Sequence, residues 1–411
     1  VNRKPTQQYI PPNKTSNMTT PGISRRTWLR QSAVTAGGIV TSLALPGTIE
    51  AKPAFGMKPY KGQYHLLEQY HIAPPDMENL KARLLANENP WGPSKKAVAA
   101  IAESASKGNR YVYKSCLKMI EILAQKEGVA PENILLAPGS TDVLEKVAFA
   151  LCMKGGNVIS ADPSYMSLVN TATSIGATWK NVPLRADYAH DLTAMAGVVD
   201  ADTKLIYICN PNNPTGTLTP IEEIKTFSRK VASKAPIFID EAYLELLDEP
   251  DKQTAVGLIK EGHDVIISRT FSKIHGMAGL RIGYMVAKPE RVKMIQDLVR
   301  TEMGISITSL EGALASMNDI EFQNYTRTNN KKNREYVFAE LTKAKMNPIP
   351  SYTSFILFPI QIPVKDMMAK MLEKGVGIRG YDIHGKPYGR VSMGTMDELK
   401  LFVKTLNEIV S

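Results

Sequence analysis

The sequence predicts an α/β protein built on a mostly parallel sheet, followed by a smaller α+β domain, and three observations support this. Between about Pro93 and Lys288, short apolar runs bounded by turn residues alternate with helical patterns. Strands buried on both faces of a parallel sheet produce such continuous apolar runs. From Glu290 the pattern lengthens into helix as far as about Leu341, then mixes short strands with helices. The chain is also 411 residues long and 43% hydrophobic, enough to bury sizeable cores without disulfides.

The first segment lies apart from that fold. A polar stretch leads to Ser24-Arg25-Arg26-Thr27-Trp28-Leu29-Arg30, then an uncharged run from Ser32 to Leu45, then Pro46-Gly47 and the small residues Ala51 and Ala54. A charged start, an apolar middle and a small-residue end are the pattern of a secretory signal. The paired arginines before bulky apolar residues resemble a twin-arginine signal. The apolar run is too short and too rich in Gly, Ser and Thr to span a membrane stably. Residues 1–54 are therefore expected to be an export signal that meets the twin-arginine machinery transiently. The expected location is the periplasm or another exported compartment, or the cytoplasm if the signal is unused.

Half of the +10 net charge sits in this leader, where six arginines and lysines face only Glu50. No basic, aromatic-interleaved stripe argues for nucleic acid. Cys116, Cys152 and Cys209 fit no metal or redox spacing, so no metal is expected and buried thiols are.

The remainder divides into an arm over 55–92, a large domain over 93–290 and a small domain over 291–411. In the large domain, strands are expected at Ile134-Ala137, Val158-Ser160, Thr178-Pro183, Leu205-Cys209, Ile237-Asp240, Val265-Ser268 and Ile282-Ala287. Helices are expected at Thr141-Cys152, Met166-Ile175 and Ile221-Ser233. The small domain should hold strands at Phe355-Phe358, around Val376-Arg379 and at Arg390-Met393, with helices at Lys365-Lys374 and at the end of the chain.

Four motifs fall just after the expected strands, where α/β sheets bind ligands. Pro138-Gly139-Ser140-Thr141 opens a helix, whose free amides attract a phosphate; alone, it is an ordinary cap. Asn210-Pro211-Asn212-Asn213-Pro214-Thr215-Gly216 is a rigid turn that places Asn213 at a strand end. Asp240, ending the apolar run Ile237-Phe238-Ile239, is costly to bury without a positive partner, and Tyr243 follows it. Finally, Lys273 follows Thr270-Phe271-Ser272 in a setting that desolvates it and depresses its pKa, with Arg281 eight residues on. A lysine for a Schiff base, an acid for a pyridine nitrogen and donors for a phosphate are together what pyridoxal phosphate requires.

These motifs, with Ala86-Asn87-Glu88-Asn89-Pro90 and Asn109-Arg110-Tyr111, resemble the class I/II aminotransferases, and within them the histidinol-phosphate aminotransferase-like subgroup, over roughly residues 80–400. The resemblance implies an aspartate-aminotransferase-like fold (fold type I) with a mostly parallel seven-stranded sheet. It implies pyridoxal 5'-phosphate on Lys273 as a Schiff base, with Asp240 at the ring nitrogen and Asn213 and Tyr243 at the ring oxygen. Tyr165 would stack on the ring, and Gly139, Ser140, Thr141, Thr270, Ser272 and Arg281 would hold the phosphate. Tyr111 would reach the cofactor phosphate of a neighbouring subunit, implying a homodimer with shared active sites. Asn87, Arg390 and Arg379 fall at substrate positions, and His275 either touches substrate or packs.

The implied activity moves an amino group between an amino acid, or a histidinol-phosphate-like amine, and a 2-oxo acid. Racemases, decarboxylases and lyases share this scaffold, and a ligand-sensing module is the non-enzymatic alternative. The chain departs from the family at Val112, where proline is usual, over Thr301-Ser306, and over Tyr381-Tyr388; these segments shape the substrate side.

Overall fold

The computed structural model describes residues 79–299 and 302–410, so the expected export signal and most of the arm lie outside the described residues. Strands are numbered β1 Ala82–Arg83, β2 Ile134–Ala137, β3 Asn157–Asp162, β4 Thr178–Pro183, β5 Thr203–Cys209, β6 Ile237–Asp240, β7 Val265–Thr270, β8 Gly283–Val286, β9 Phe355–Pro359, β10 Val376–Gly377, β11 Arg379–Ile383 and β12 Lys386–Ser392.

The large sheet has seven strands in the order β2-β8-β7-β6-β5-β3-β4. Its five central and edge strands β3 to β7 pair in parallel, and β8 runs against β7 and β2. Alternation along the strands divides the apolar residues between two faces. Ile237, Ile239, Val265 and Ile267 enter one core, while Phe238 and Ile266 enter the other. Helices cover both faces, as the continuous apolar strands require.

A second sheet, in the order β11-β12-β9, is antiparallel, and β1 pairs with β10 beside it. Leu84, Phe358, Met371, Val391 and Phe402 fill the core beneath. The β1 pairing draws residues that precede the large sheet into this second layer.

Two expectations change. The helices Pro289–Leu298 and Ile307–Met317 send Val292, Ile295, Leu310 and Ala313 into the large-sheet cores. Packing passes to the small sheet only within the long helix Ile320–Lys343, from which Val337 and Leu341 enter the small core, and not at residue 290. The C-terminal strands also run further than expected, because β11 and β12 form one hairpin. Its two-residue turn, His384-Gly385, has φ of 52° and 76°, the left-handed pair that a tight hairpin of matching twist demands. All three cysteines are buried thiols.

Candidate active site

The parallel strands end along one edge of the large sheet, and the four motifs meet there. The segments after β2, β3, β5 and β7 deliver Ser140, Tyr165, Asn213 and Lys273, and the last residue of β6 delivers Asp240, to one cavity of about 210 Å³. Arg281 reaches the same edge by preceding the antiparallel β8. Arg379 and Arg390 enter from the small sheet.

One end of this cavity is built for a dianion. The helix Ser140–Cys152 starts at Gly139, which has φ 89° and offers no side-chain cap, so its first-turn amides face the cavity end. The Arg281 guanidinium lies over Gly139, where a Cβ would come within 2.2 Å of Nη2; only glycine permits this approach. Arg281 itself sits at φ 49°, a strained backbone of the kind found at ligand clamps. Thr270 Oγ1 donates to Ser272 Oγ at 2.9 Å, which gathers two hydroxyls beside those of Ser140 and Thr141. A phosphate fits this set of hydroxyls, amides and one guanidinium.

Asp240 closes β6 and is buried. Its register neighbours are Cys209 and Ser268. Ser268 Oγ donates to one carboxylate oxygen at 2.8 Å, Tyr207 OH to the other at 3.2 Å, and the Ala242 amide to the first at 3.2 Å. Burial still pushes the carboxyl above its ordinary range despite these donors. A cationic ring nitrogen beside it would offset that cost.

Lys273 Nζ donates to the Asn87 carbonyl at 2.8 Å and lies 5.2 Å from the centre of the Tyr243 ring. Burial, helped by the charge of Arg390, pulls its ammonium down to about 8. A lysine so tuned has a sizeable neutral fraction near neutrality and can attack a carbonyl. Uptake of pyridoxal phosphate by the apoprotein is accordingly expected to accelerate as pH rises through about 8 and then level off. Stopped-flow absorbance at fixed cofactor concentration checks this; a rate flat from pH 7 to 9 would contradict it.

The opposite end is basic. Arg390 is almost wholly buried, 4.9 Å from the Phe355 ring and 5.3 Å from that of Tyr381, and its Nη1 donates to Asn213 Oδ1 at 2.7 Å. Arg379 is its cross-strand partner and lies 5.2 Å from the same Tyr381 ring. Like charges directly opposite repel, and the shared aromatic face offsets part of that repulsion. Asn87 ties the ends together, donating to Tyr243 OH at 2.8 Å and accepting from Ser392 Oγ at 2.7 Å.

Every residue the sequence placed at the site lines this cavity except two. Gly139 stands just behind Arg281. Tyr111 is 77% exposed and lies with Tyr113, Leu117 and Met303 around a second cavity of about 820 Å³ on the outer surface. His275 packs instead of facing substrate: its ring stacks 4.7 Å from Phe271, Nδ1 pairs with Ser316 Oγ, and Nε2 lies 3.5 Å from Glu245.

Sequence reasoning did not single out Glu88 or Cys209, which also line the cavity. It also missed the buried pair behind Asp240, where Arg269 Nε donates to Glu241 at 2.8 Å. The alternation of Asn87, Glu88 and Asn89 was the one local signal available for Glu88.

Residues 81–406 match the family model for aminotransferase class I and II. A histidinol-phosphate aminotransferase of Moorella thermoacetica is 33% identical over 333 residues, covering 80% of this chain and 85% of the relative. One from Desulfotalea psychrophila is 33% identical over 377 residues, covering 90% and 96%. Among solved structures, histidinol-phosphate aminotransferase from Sinorhizobium meliloti in complex with pyridoxal-5'-phosphate superposes with a TM-score of 0.76 at 24% identity, covering 85% of this chain and 94% of that one.

Proposed function

The chain belongs to the class I and II aminotransferases, and from that membership and the cavity we propose how its residues divide the work. It is a pyridoxal-phosphate-dependent transaminase. When bound, the cofactor supplies a carbonyl that exchanges for the donor's amino group and a ring that delocalises the charge left by the α-proton.

The chain's own groups do the rest. Ser140, Thr141, Thr270, Ser272, Arg281 and the amides after Gly139 would hold the phosphate. Asp240 would supply the negative charge for the ring nitrogen, Asn213 and Tyr243 would bond the ring oxygen, and Tyr165 would cover a ring face. Lys273 Nζ would carry the cofactor and, once released from it, would move the proton to and from the donor's α-carbon. Arg390, with Arg379, anchors an anionic group of the donor, and Asn87 aligns Lys273 with Tyr243.

The observation that carries this reading is the convergence of Lys273, Asp240 and the phosphate-holding residues on one cavity, with a buried arginine at its far end. The donor is an amino acid or a histidinol-phosphate-like amine, the latter suggested by the names of the relatives, and the acceptor is a 2-oxo acid. Tyr111 and the exposed apolar residues beside it support a homodimer in which each chain completes its neighbour's phosphate site. The Arg25-Arg26 segment supports export by the twin-arginine route.

The visible spectrum of the purified protein tests the assignment. A donor in a panel of amino acids and histidinol phosphate should bleach the cofactor band, and a 2-oxo acid should restore it. A cofactor band that no donor alters would sink the transaminase reading.

A further inference from the structure

We infer that Glu88 is a specificity-determining residue that recognises an N–H or cationic group on the donor's side chain. The inference rests on the transaminase reading and concerns the substrate end of the same cavity.

Glu88 sits between two asparagines that hold the backbone. Asn87 bonds Tyr243, Ser392 and, through its carbonyl, Lys273. Asn89 Nδ2 donates to the Ile274 carbonyl at 3.0 Å and Asn89 Oδ1 accepts from the Trp91 amide at 3.0 Å. Both clamp the segment to the loop that carries Lys273, and Glu88 lines the cavity between them. Its charge is felt at Lys273.

The charges at the cavity then divide unevenly. Lys273, Arg281, Arg379 and Arg390 are cationic, and only Asp240 and Glu88 are anionic. Asp240 is buried beneath three donors of its own. Glu88 is not: Oε1 meets Arg83 Nη2 at 3.0 Å, while Oε2 takes no hydrogen bond among the described residues. That ion pair is open to water, with side chains 52% and 42% exposed, so it contributes little and yields readily to a competitor.

A donor held by its anion on the arginines brings its side chain against this wall. An apolar side chain would desolvate the carboxylate without replacing its hydrogen bonds. An imidazole, ammonium or guanidinium would give it a charge-assisted bond. Sites built around a hydrogen bond discriminate strongly against analogues that lack it.

Calorimetry on the holoenzyme with two unreactive acids of similar shape, 3-(imidazol-4-yl)propanoate and 3-phenylpropanoate, tests this. Both present a carboxylate to the arginines, and only the first has a ring N–H. The wild type should bind the imidazole acid at least about tenfold more tightly, and Glu88→Gln should remove most of that preference. Arg83→Gln, by removing the competing guanidinium, should tighten the imidazole acid and leave the phenyl acid unchanged. Binding of the phenyl acid reports that each variant is folded.

A preference that survives Glu88→Gln, or a wild type that favours the phenyl acid, overturns the assignment of Glu88. Neither result touches the transaminase reading, which stands or falls on the bleaching of the cofactor band.

Discussion

Lys273→Ala should still fold and hold pyridoxal phosphate, yet lose about 10⁴-fold in kcat/KM, the upper end for removing a positioned proton-transfer group. The side chain serves two roles at one atom, so no neighbour replaces it. The Tyr243 ring lies 5.2 Å away, and burial pushes its hydroxyl well above the ordinary tyrosine range, which makes it a poor base. The phosphate end of the cavity is built without Lys273: the amides after Gly139, the Thr270–Ser272 pair and Arg281 all remain.

Borohydride reduction separates the two roles. It should fix the cofactor to the wild-type chain, as mass spectrometry would show, and leave the variant unmodified. A variant with substantial exchange activity, or one still labelled by borohydride, would place the essential lysine elsewhere.

Asp240→Asn should produce the second largest loss, about 10²–10³-fold in the rate of amino exchange, the range seen when one preorganised electrostatic group is removed. The amide retains the shape and can still accept from Ser268, so the cavity keeps its form. What disappears is the negative charge opposite the ring nitrogen. Burial raises the Asp240 carboxyl in the cofactor-free protein, which means the charged form is disfavoured there. Neutralising it should therefore leave the melting temperature of the apoprotein unchanged or slightly higher. The pairing of lost activity with undiminished apoprotein stability distinguishes an electrostatic role from a structural one. A fall in apoprotein melting temperature in step with activity would assign Asp240 to the core instead.

The cofactor half of this site was legible in the sequence because each part hangs on the end of a strand that announces itself. Ile237-Phe238-Ile239 marks a buried strand, so Asp240 must lie at its mouth; Val265-Ser268 does the same for Lys273. The substrate half was less legible, because it is assembled from pairings far apart in sequence. Arg379 and Arg390 face each other only because a hairpin turns at His384-Gly385, and no long apolar run marks β11, where exposed Asp382 interrupts the pattern. The contact of Asn87 with Ser392 spans 305 positions, and no local pattern encodes it. The sequence boundary at residue 290 failed for a related reason. A helix pattern shows which of its faces is apolar and leaves open which sheet that face covers.

The same 305-residue span has a consequence for how the protein is made. A chain emerging from the ribosome displays its lysine loop long before the strand bearing Arg390 and Ser392 exists. Until that strand arrives, Asn87 lacks one of its anchors and the cavity lacks a wall. Closure of the cavity around the cofactor is thus a late event in biogenesis. On the export route proposed above, that closure would come in the compartment of synthesis, before the protein leaves it.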